Sequence, residues 1–305
     1  MSQGVSYPKR QRHHYIPEFY LKQWAGPDGR IYEFFRRYKG VVTPRPTHPA
    51  GTGYVENLYT LTGFPAETAQ LLENKFFRVT DQFASDALNI LLHSNIAEMS
   101  ADVRSGWSRF VLSLIHRTPE KIAWIKTEVQ RGLGARLQEV KENYESFRRP
   151  SDPPTFDEYV ALNGTNSESR AFAMLLQSVV DSQNVGAYLN GMRWSVLTIE
   201  NSTHTLLTSD RPVVMSDGIK YDHSYIIVPL SPVSLFLAVN TIQQEQHIRN
   251  LPVMDFAREV NSIVCKQAQK YVYGTDNRQL RFVSNRLGKG VPQFIASKRP
   301  ASLPR

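Results

Sequence analysis

The spacing of apolar residues changes character twice along the chain. Up to about Leu61 the apolar residues form short clusters separated by turn residues. HHYIPEFYLKQWA reads as a short helix or turn after Pro17, and GPDGR as a turn. RIYEFFRRYKGVVTP reads as a hairpin with Lys39-Gly40 at its tip. THPAGTGYVENLYTL is a loop followed by a short extended piece. From Ala66 the period becomes helical, with Leu71, Leu72, Phe76, Phe83 and Leu88 in phase. Ser100 is placed to cap SADVRSGWSRFVLSLIHR, and Thr118-Pro119-Glu120 opens a further helix running to about Phe147. RRPSDPPTFDE breaks the helical pattern, and SESRAFAMLLQSVVDSQNVGAYL resumes it. Beyond Met192 the pattern turns to strands. MRWSVLTIENSTHTLLTSDRPVVMSD gives two extended runs joined at residues 200–203, and YIIVPLSP and VSLFLAVN are apolar and β-rich. A last helix, Pro252 to Lys270, leads into YVYG and LRFV.

These elements predict an α+β fold. An N-terminal hairpin module and a C-terminal, mostly antiparallel sheet (192–285) enclose a central helical, bundle-like insertion (66–190). Residues 13–285 make one domain, flanked by a basic tail (1–12) and a loose basic tail (286–305). Length and a 41% hydrophobic content fit a large buried core. No apolar run reaches the ~18 residues that a bilayer span needs. MSQGVSYPKRQRHH lacks the apolar stretch of a secretory signal, so a cytoplasmic protein without membrane contact is expected. The lone Cys265 excludes an internal disulfide framework and falls in the apolar phase of the last helix, as a core thiol would.

Charge adds a partner class. The formal net charge is +8, which favours polyanions, nucleic acid among them. Arg12 flanks the paired histidines, and Arg36, Arg37 and Lys39 alternate with Phe34, Phe35 and Tyr38. Cations beside stacking rings suit single-stranded nucleic acid; an amphipathic strand with a solvated edge gives the same string.

Candidate chemistry is concentrated in a few places. His13 and His14 are adjacent, so they point apart and cannot form a metal pair alone. One of them is a ligand or general base with partners from elsewhere, or else a hydrogen-bonded lock for the entry segment. Asp210 ends the apolar run TLLTSD before Arg211-Pro212, which suits metal or acid–base work at a strand end, or an Asx-type turn. Glu73 sits amid Leu71, Leu72, Phe76 and Phe77, on a wet helix face or paired inside. Arg117 closes its helix, where it favours the dipole, clamps a phosphate, or holds Asp210 or Glu73. Arg109 and His116 share one helix face and resemble, over eight residues, the Arg-to-His spacing of helical ribonuclease toxins of the HEPN type. Phe110 follows the arginine where those toxins usually carry a polar residue. Phosphate loops, dinucleotide fingerprints, H-E-x-x-H, cysteine zinc spacings and G-x-S-x-G are all absent, which removes the common NTPase, dehydrogenase and zinc-protease classes.

The succession HHYIPEFYLKQWAGPDGRIYEF, ENLYTL, LLENKF, HRTP, RWSVL, TSDRPVV and VPLSP resembles the blocks of a bacterial family catalogued as domain of unknown function 4238, over roughly Arg12 to Gly274. The resemblance brings no activity with it. It implies recurring polar residues at His14, Arg117 and Asp210, and also at Glu73 and Asn240. The resulting expectation is a metal-dependent phosphodiesterase or nuclease-like enzyme acting on nucleic acid or a nucleotide, in a bacterial toxin or defence setting. Glu73 and Asp210 would bind a divalent cation such as Mg²⁺. His14 would activate water, Arg117 would hold the phosphate, and Arg12, Arg36, Arg37 and Asn240 would contact substrate. His14 and Asp210 would then meet within ~4–8 Å. The alternative is a non-catalytic nucleic-acid- or partner-binding protein in which a His–Arg–Asp network is structural.

Overall fold

A computed structural model of the protein describes residues 11–163, 166–200, 202, 204–216 and 218–290. The expected N-terminal tail up to position 10, the C-terminal tail from 291 and part of the 200–203 joint lie outside them. The chain opens with β1 (Arg12–His14), α1 (Glu18–Leu21), β2 (Ile31–Arg36), β3 (Val42–Thr47) and β4 (Tyr54–Glu56). The helical region comes next: α2 (Ala66–Ala69), a π-helical stretch (Leu72–Phe77), α3 (Arg78–His93), α4 (Ala101–His116), α5 (Pro119–Glu142), α6 (Tyr144–Phe147), α7 (Phe156–Asn163), α8 (Ser167–Val180) and α9 (Gln183–Gly191). The last part runs β5 (Arg193–Thr198), β6 (Thr208–Ser209), β7 (Val214–Met215), β8 (Tyr225–Pro229), β9 (Ser234–Val239), α10 (Ile242–Arg249), α11 (Val253–Gln267), β10 (Tyr271–Gly274) and α12 (Leu280–Ser284).

The fold is α+β, and every strand pairing is antiparallel. β1 pairs with β4; the two larger sheets run β3-β2-β10-β6 and β5-β9-β8-β7. The N-terminal hairpin is therefore not a separate module. β10, from the far end of the chain, lies against β2 with Phe35 opposite Tyr271. β3 is left at the sheet edge, where Pro44 and Pro46 leave no N–H for a foreign strand.

Strand parity shows where the cores lie. All six residues of β9 are buried. Leu235, Leu237 and Val239 pack with Ile248 of α10 and with Ala257, Val260 and Val264 of α11. Phe236 and Ala238 point the other way, into the large cluster shared with Trp107 and Phe110 of α4. A strand covered on both faces reads as a continuous apolar run, and VSLFLAVN does.

The entry segment ties these layers together. Tyr20 donates to the Pro229 carbonyl at 2.7 Å and so accepts from Thr208 at 2.8 Å. The Trp24 indole N–H donates to the Leu206 carbonyl at 2.8 Å. Helix starts obey the expected chemistry: Ser100 accepts from the Val103 N–H, and Thr118 from the Lys121 N–H with Pro119 in the first turn. Four segments depart from expectation. The helix from Pro119 ends at Glu142, LRFV is helical, Leu72–Phe77 is π-helical, and the last long helix stops at Gln267. Part of the tail expected to be loose is tied down as well. Gly288 and Gly290 donate to the carbonyls of Cys265 and Lys266, and Leu287 is buried. Among the described residues no helix is long and apolar enough to cross a membrane.

α3 and α4 touch at Gly106, where a Cβ would lie 2.6 Å from the Cβ of Phe83. Gly106→Ala should force the two helices apart and cost about 1–3 kcal/mol in a denaturant melt. An unchanged midpoint would contradict this close approach.

Candidate functional site

β1 gives its two histidines different environments. The Nδ1 of His13 accepts the Tyr59 N–H at 2.9 Å, so its proton lies on Nε2, which donates to Gln70 Oε1 at 2.7 Å. The ring is fully buried, stacks on Tyr59 at 5.3 Å, and is held below the usual imidazole range by burial. His13 is thus the lock of the entry segment. His14 is half-buried, packs edge-on against Tyr54 and has no partner at Nε2. Burial lowers its pKa most. A backbone hydrogen bond with Ala50 and the Glu18 carboxylate oppose this, and the charges of Arg117 and Arg12 add to it. A neutral imidazole with one unpartnered nitrogen can act as a base.

Arg117 caps the C-terminus of α4, where Thr118-Pro119 ends the helix. Its side chain is fully buried. Nη1 donates to Asp81 Oδ1 at 2.9 Å, and the guanidinium lies 5.6 and 5.7 Å from the ring centres of Phe77 and Phe110. Its carbonyl accepts the Tyr59 hydroxyl at 3.1 Å. Nε and Nη2 have no protein partner. Those two N–H groups lie along one edge of the planar guanidinium and form the fork that two oxygens of one anion can fill.

Glu73 lies on the π-helical stretch, a geometry frequent at functional sites. Oε2 is buried and unpartnered. Burial raises the carboxyl to about 7, Arg117 pulls it down and Asp81 pushes it up. Asp81 is itself raised by burial, against the attraction of Arg117. One fixed cation thus sits with two carboxyl groups whose anionic forms are both disfavoured. Asp81, Tyr59, Phe77 and Phe110 were not singled out from sequence. A carboxylate eight residues after Glu73, on the helix face of Phe77, Ala84 and Leu88, is the signal that could have found Asp81.

The other expected residues lie elsewhere. Asp210 is buried, and its oxygens accept the backbone N–H groups of Gln269, Lys270 and Tyr271 at 2.9, 2.6 and 3.0 Å. It turns the chain from α11 into β10, and no hydrogen bond or ion pair joins it to His14 or Arg117. Burial pushes this carboxyl up to about 6 against its three donors. Asn240 donates to the carbonyls of Ile219 and Tyr221 and closes the loop before β8. Arg36 donates to the carbonyls of Gly40 and Leu287, so it is a structural tether. Arg12 lies in β1, not in a tail, with its guanidinium 4.7 Å over Tyr54, and Arg37 is exposed beside Phe35. Arg109 pairs with Asp181 at 2.7 Å, while the His116 ring, pushed by burial to about 4, has no partner at Nδ1. The two do not form the toxin-like pair.

Glu73 and Asp210 therefore belong to different networks. Among the described residues no group of three or more His, Cys, Asp or Glu side chains could hold a metal ion. The donor set does not fit the Mg²⁺ site expected from the sequence.

A family model described as protein of unknown function (DUF4238) matches residues 12–278. No curated protein and no solved structure matches the chain.

Asp210→Asn keeps one acceptor oxygen for three N–H donors and turns an N–H₂ towards them. The variant should lose about 1–3 kcal/mol of stability in a urea melt. Wild-type stability would mean that the turn into β10 does not depend on the carboxylate.

Proposed function

The chain belongs to the DUF4238 family of proteins of unknown function, and we propose that it is a metal-independent phosphodiesterase of nuclease type, with His14, Glu73 and Arg117 as its working groups. The observation that carries this reading is the unpartnered Nε–Nη2 edge of Arg117, a charge felt both by the imidazole of His14, held below its usual range, and by the Glu73 carboxyl, raised to about 7. Two titratable groups set apart by their surroundings in this way can serve as base and acid. A buried fork of fixed charge supplies the anion contact.

In the proposed reaction Arg117 grips two non-bridging oxygens of the diester. His14 takes the proton of the attacking hydroxyl at Nε2. The new P–O bond forms as the bond to the leaving oxygen breaks, and protonated Glu73 gives its proton to that oxygen. The site is left with an imidazolium and a carboxylate, which exchange their protons with solvent before the next turnover. The proposed compartment is the cytoplasm, on the strength of a single buried thiol, Cys265, which burial pushes up to about 12. The full burial of Arg117 favours one rival, a closed polar cluster that only locks β1, the π-helical stretch and α4 together.

pH and one substitution separate the two. His14 must be neutral, so activity should rise as pH passes its lowered pKa, below 6.5. Glu73 must be protonated, so activity should fall above about 7. The expected profile is a narrow bell in mildly acid solution, unchanged by EDTA. The stability sign is opposite to that of an ordinary salt-bridged carboxylate. Because the folded-state pKa of Glu73 is raised, its charge destabilises the fold as pH climbs from 4.5 towards 7. Glu73→Gln should therefore melt a few degrees higher at pH 8 while losing about 10²-fold or more in diester cleavage. Cleavage unaffected by the substitution would sink the acid–base reading. So would a wild-type protein inactive on every diester tested.

A further inference from the structure

A second feature lies on the sheet face of β2 and β10. Phe35 stands opposite Tyr271, and Glu33 opposite Tyr273. Strand alternation places Phe35, Tyr271 and Tyr273 on one side. Phe34, Val272, Cys265 and Val283 pack together on the other. Phe35 and Tyr271 are half-exposed, with ring centres 6.4 Å apart, and Tyr271 lies 6.0 Å from buried Tyr273. Three exposed cations sit on these rings: Arg45 at 5.0 Å and Arg37 at 6.0 Å from Phe35, and Lys270 at 4.9 Å from Tyr271. Arg45 is held there by an ion pair with buried Glu33 at 2.5 Å. At the hairpin tip beyond them Tyr38 is 93% exposed.

We infer that this sheet face binds single-stranded nucleic acid, with bases stacked on Phe35 and Tyr271 and phosphates against Arg37, Arg45 and Lys270. Partly open rings on adjacent strands offer π-faces that unpaired bases can cover, whereas a duplex keeps its base faces to itself. The cations are spaced around the rings and belong to a chain of net charge +8, which complements a polyanion. Arg36, the most obvious cation in the sequence string, is not part of the surface because strand alternation puts it on the side opposite Phe35, where its two terminal nitrogens each donate to a carbonyl. Lys270 takes its place from the far end of the chain. The inference names the substrate class of the proposed phosphodiesterase; strand binding stands without that reading, and only cleavage of the bound strand rests on it.

The test is fluorescence anisotropy with a labelled oligouridylate of about ten nucleotides, its oligothymidylate counterpart and a duplex of equal length. The strands should bind and the duplex should bind more weakly. The logarithm of affinity should fall linearly with the logarithm of salt. Arg37→Gln with Lys270→Gln should flatten that slope by about 1.4, or about 0.7 for each phosphate that is no longer neutralised. Tyr271→Leu should weaken binding about 5- to 100-fold, with a thermal melt to show that it folds. Preference for RNA over DNA would add a 2′-hydroxyl contact to the same face. Glu73→Gln should keep strand binding while losing cleavage. Binding without cleavage by any variant would uphold this face and remove the acid–base reading; cleavage of a small diester without strand binding would do the reverse. Absence of strand binding at low salt, equal affinity for the duplex, insensitivity to Tyr271→Leu, or full displacement by anionic phospholipid vesicles would each overturn the inference.

Discussion

A guanidinium does not escape burial by giving up its proton. Placing Arg117 wholly inside the protein therefore obliges the fold to surround a permanent positive charge. It does so with one carboxylate, Asp81, and the faces of Phe77 and Phe110. Asp81 and Phe110 belong to α3 and α4, and Phe77 ends the π-helical stretch that runs into α3. The two helices must hold a fixed register for the ion pair to form, and the bare Cα of Gly106 against Phe83 lets them come close enough. The Tyr59 hydroxyl then anchors to the Arg117 carbonyl, while its backbone N–H fixes His13. One buried charge thus sets the helix pair and, through Tyr59, the strand that carries His14.

The sequence was informative where local chemistry decides and silent where distant segments decide. Helix starts at Ser100 and Thr118, the apolar run of β9 and the hairpin after Ile31 obey short-range rules. That β10 would complete the N-terminal sheet does not, because nothing in YVYG names its partner. LRFV has strand composition, yet forms a short helix whose Val283 packs against Phe34 and Cys265. Packing overrode propensity there. The π-helical stretch carries no sequence mark distinct from the α-helix around it.

The candidate residues divide along the same line. The HH pair was legible as one lock and one open group, but which was which depended on Tyr59 and Gln70, far along the chain. Glu73 and Arg117 were legible as polar residues out of keeping with their surroundings, and the carboxyl feels the charge of the guanidinium. Asp210 was equally conspicuous, and its work is different: it holds three N–H groups of a remote turn. A carboxylate at a strand end is as able to fix a crossing segment as to meet a substrate, and only the identity of its donors separates the two. The arginine-rich string misled in a related way. Arg36 looked like a phosphate ligand and is a tether, whereas the neighbouring Arg37 remains open.

The charge balance around Arg117 links anion binding to proton retention. With Glu73 protonated, Arg117 and Asp81 form a neutral pair; with Glu73 ionised, the cluster carries a net negative charge. Burial disfavours that second state, which is why the carboxyl rises to about 7. An anion seated on the unpartnered fork of Arg117 would add negative charge near Glu73 and would compete for the attraction that pulls its pKa down. Both effects raise the pKa further. In the proposed reaction Glu73 would then hold its proton most firmly while the phosphate is bound, and would release it only as the leaving oxygen gains charge. The same anion would favour the imidazolium of His14 once the proton has moved there. A single bound charge thus biases base and acid towards the states that the proton transfers require.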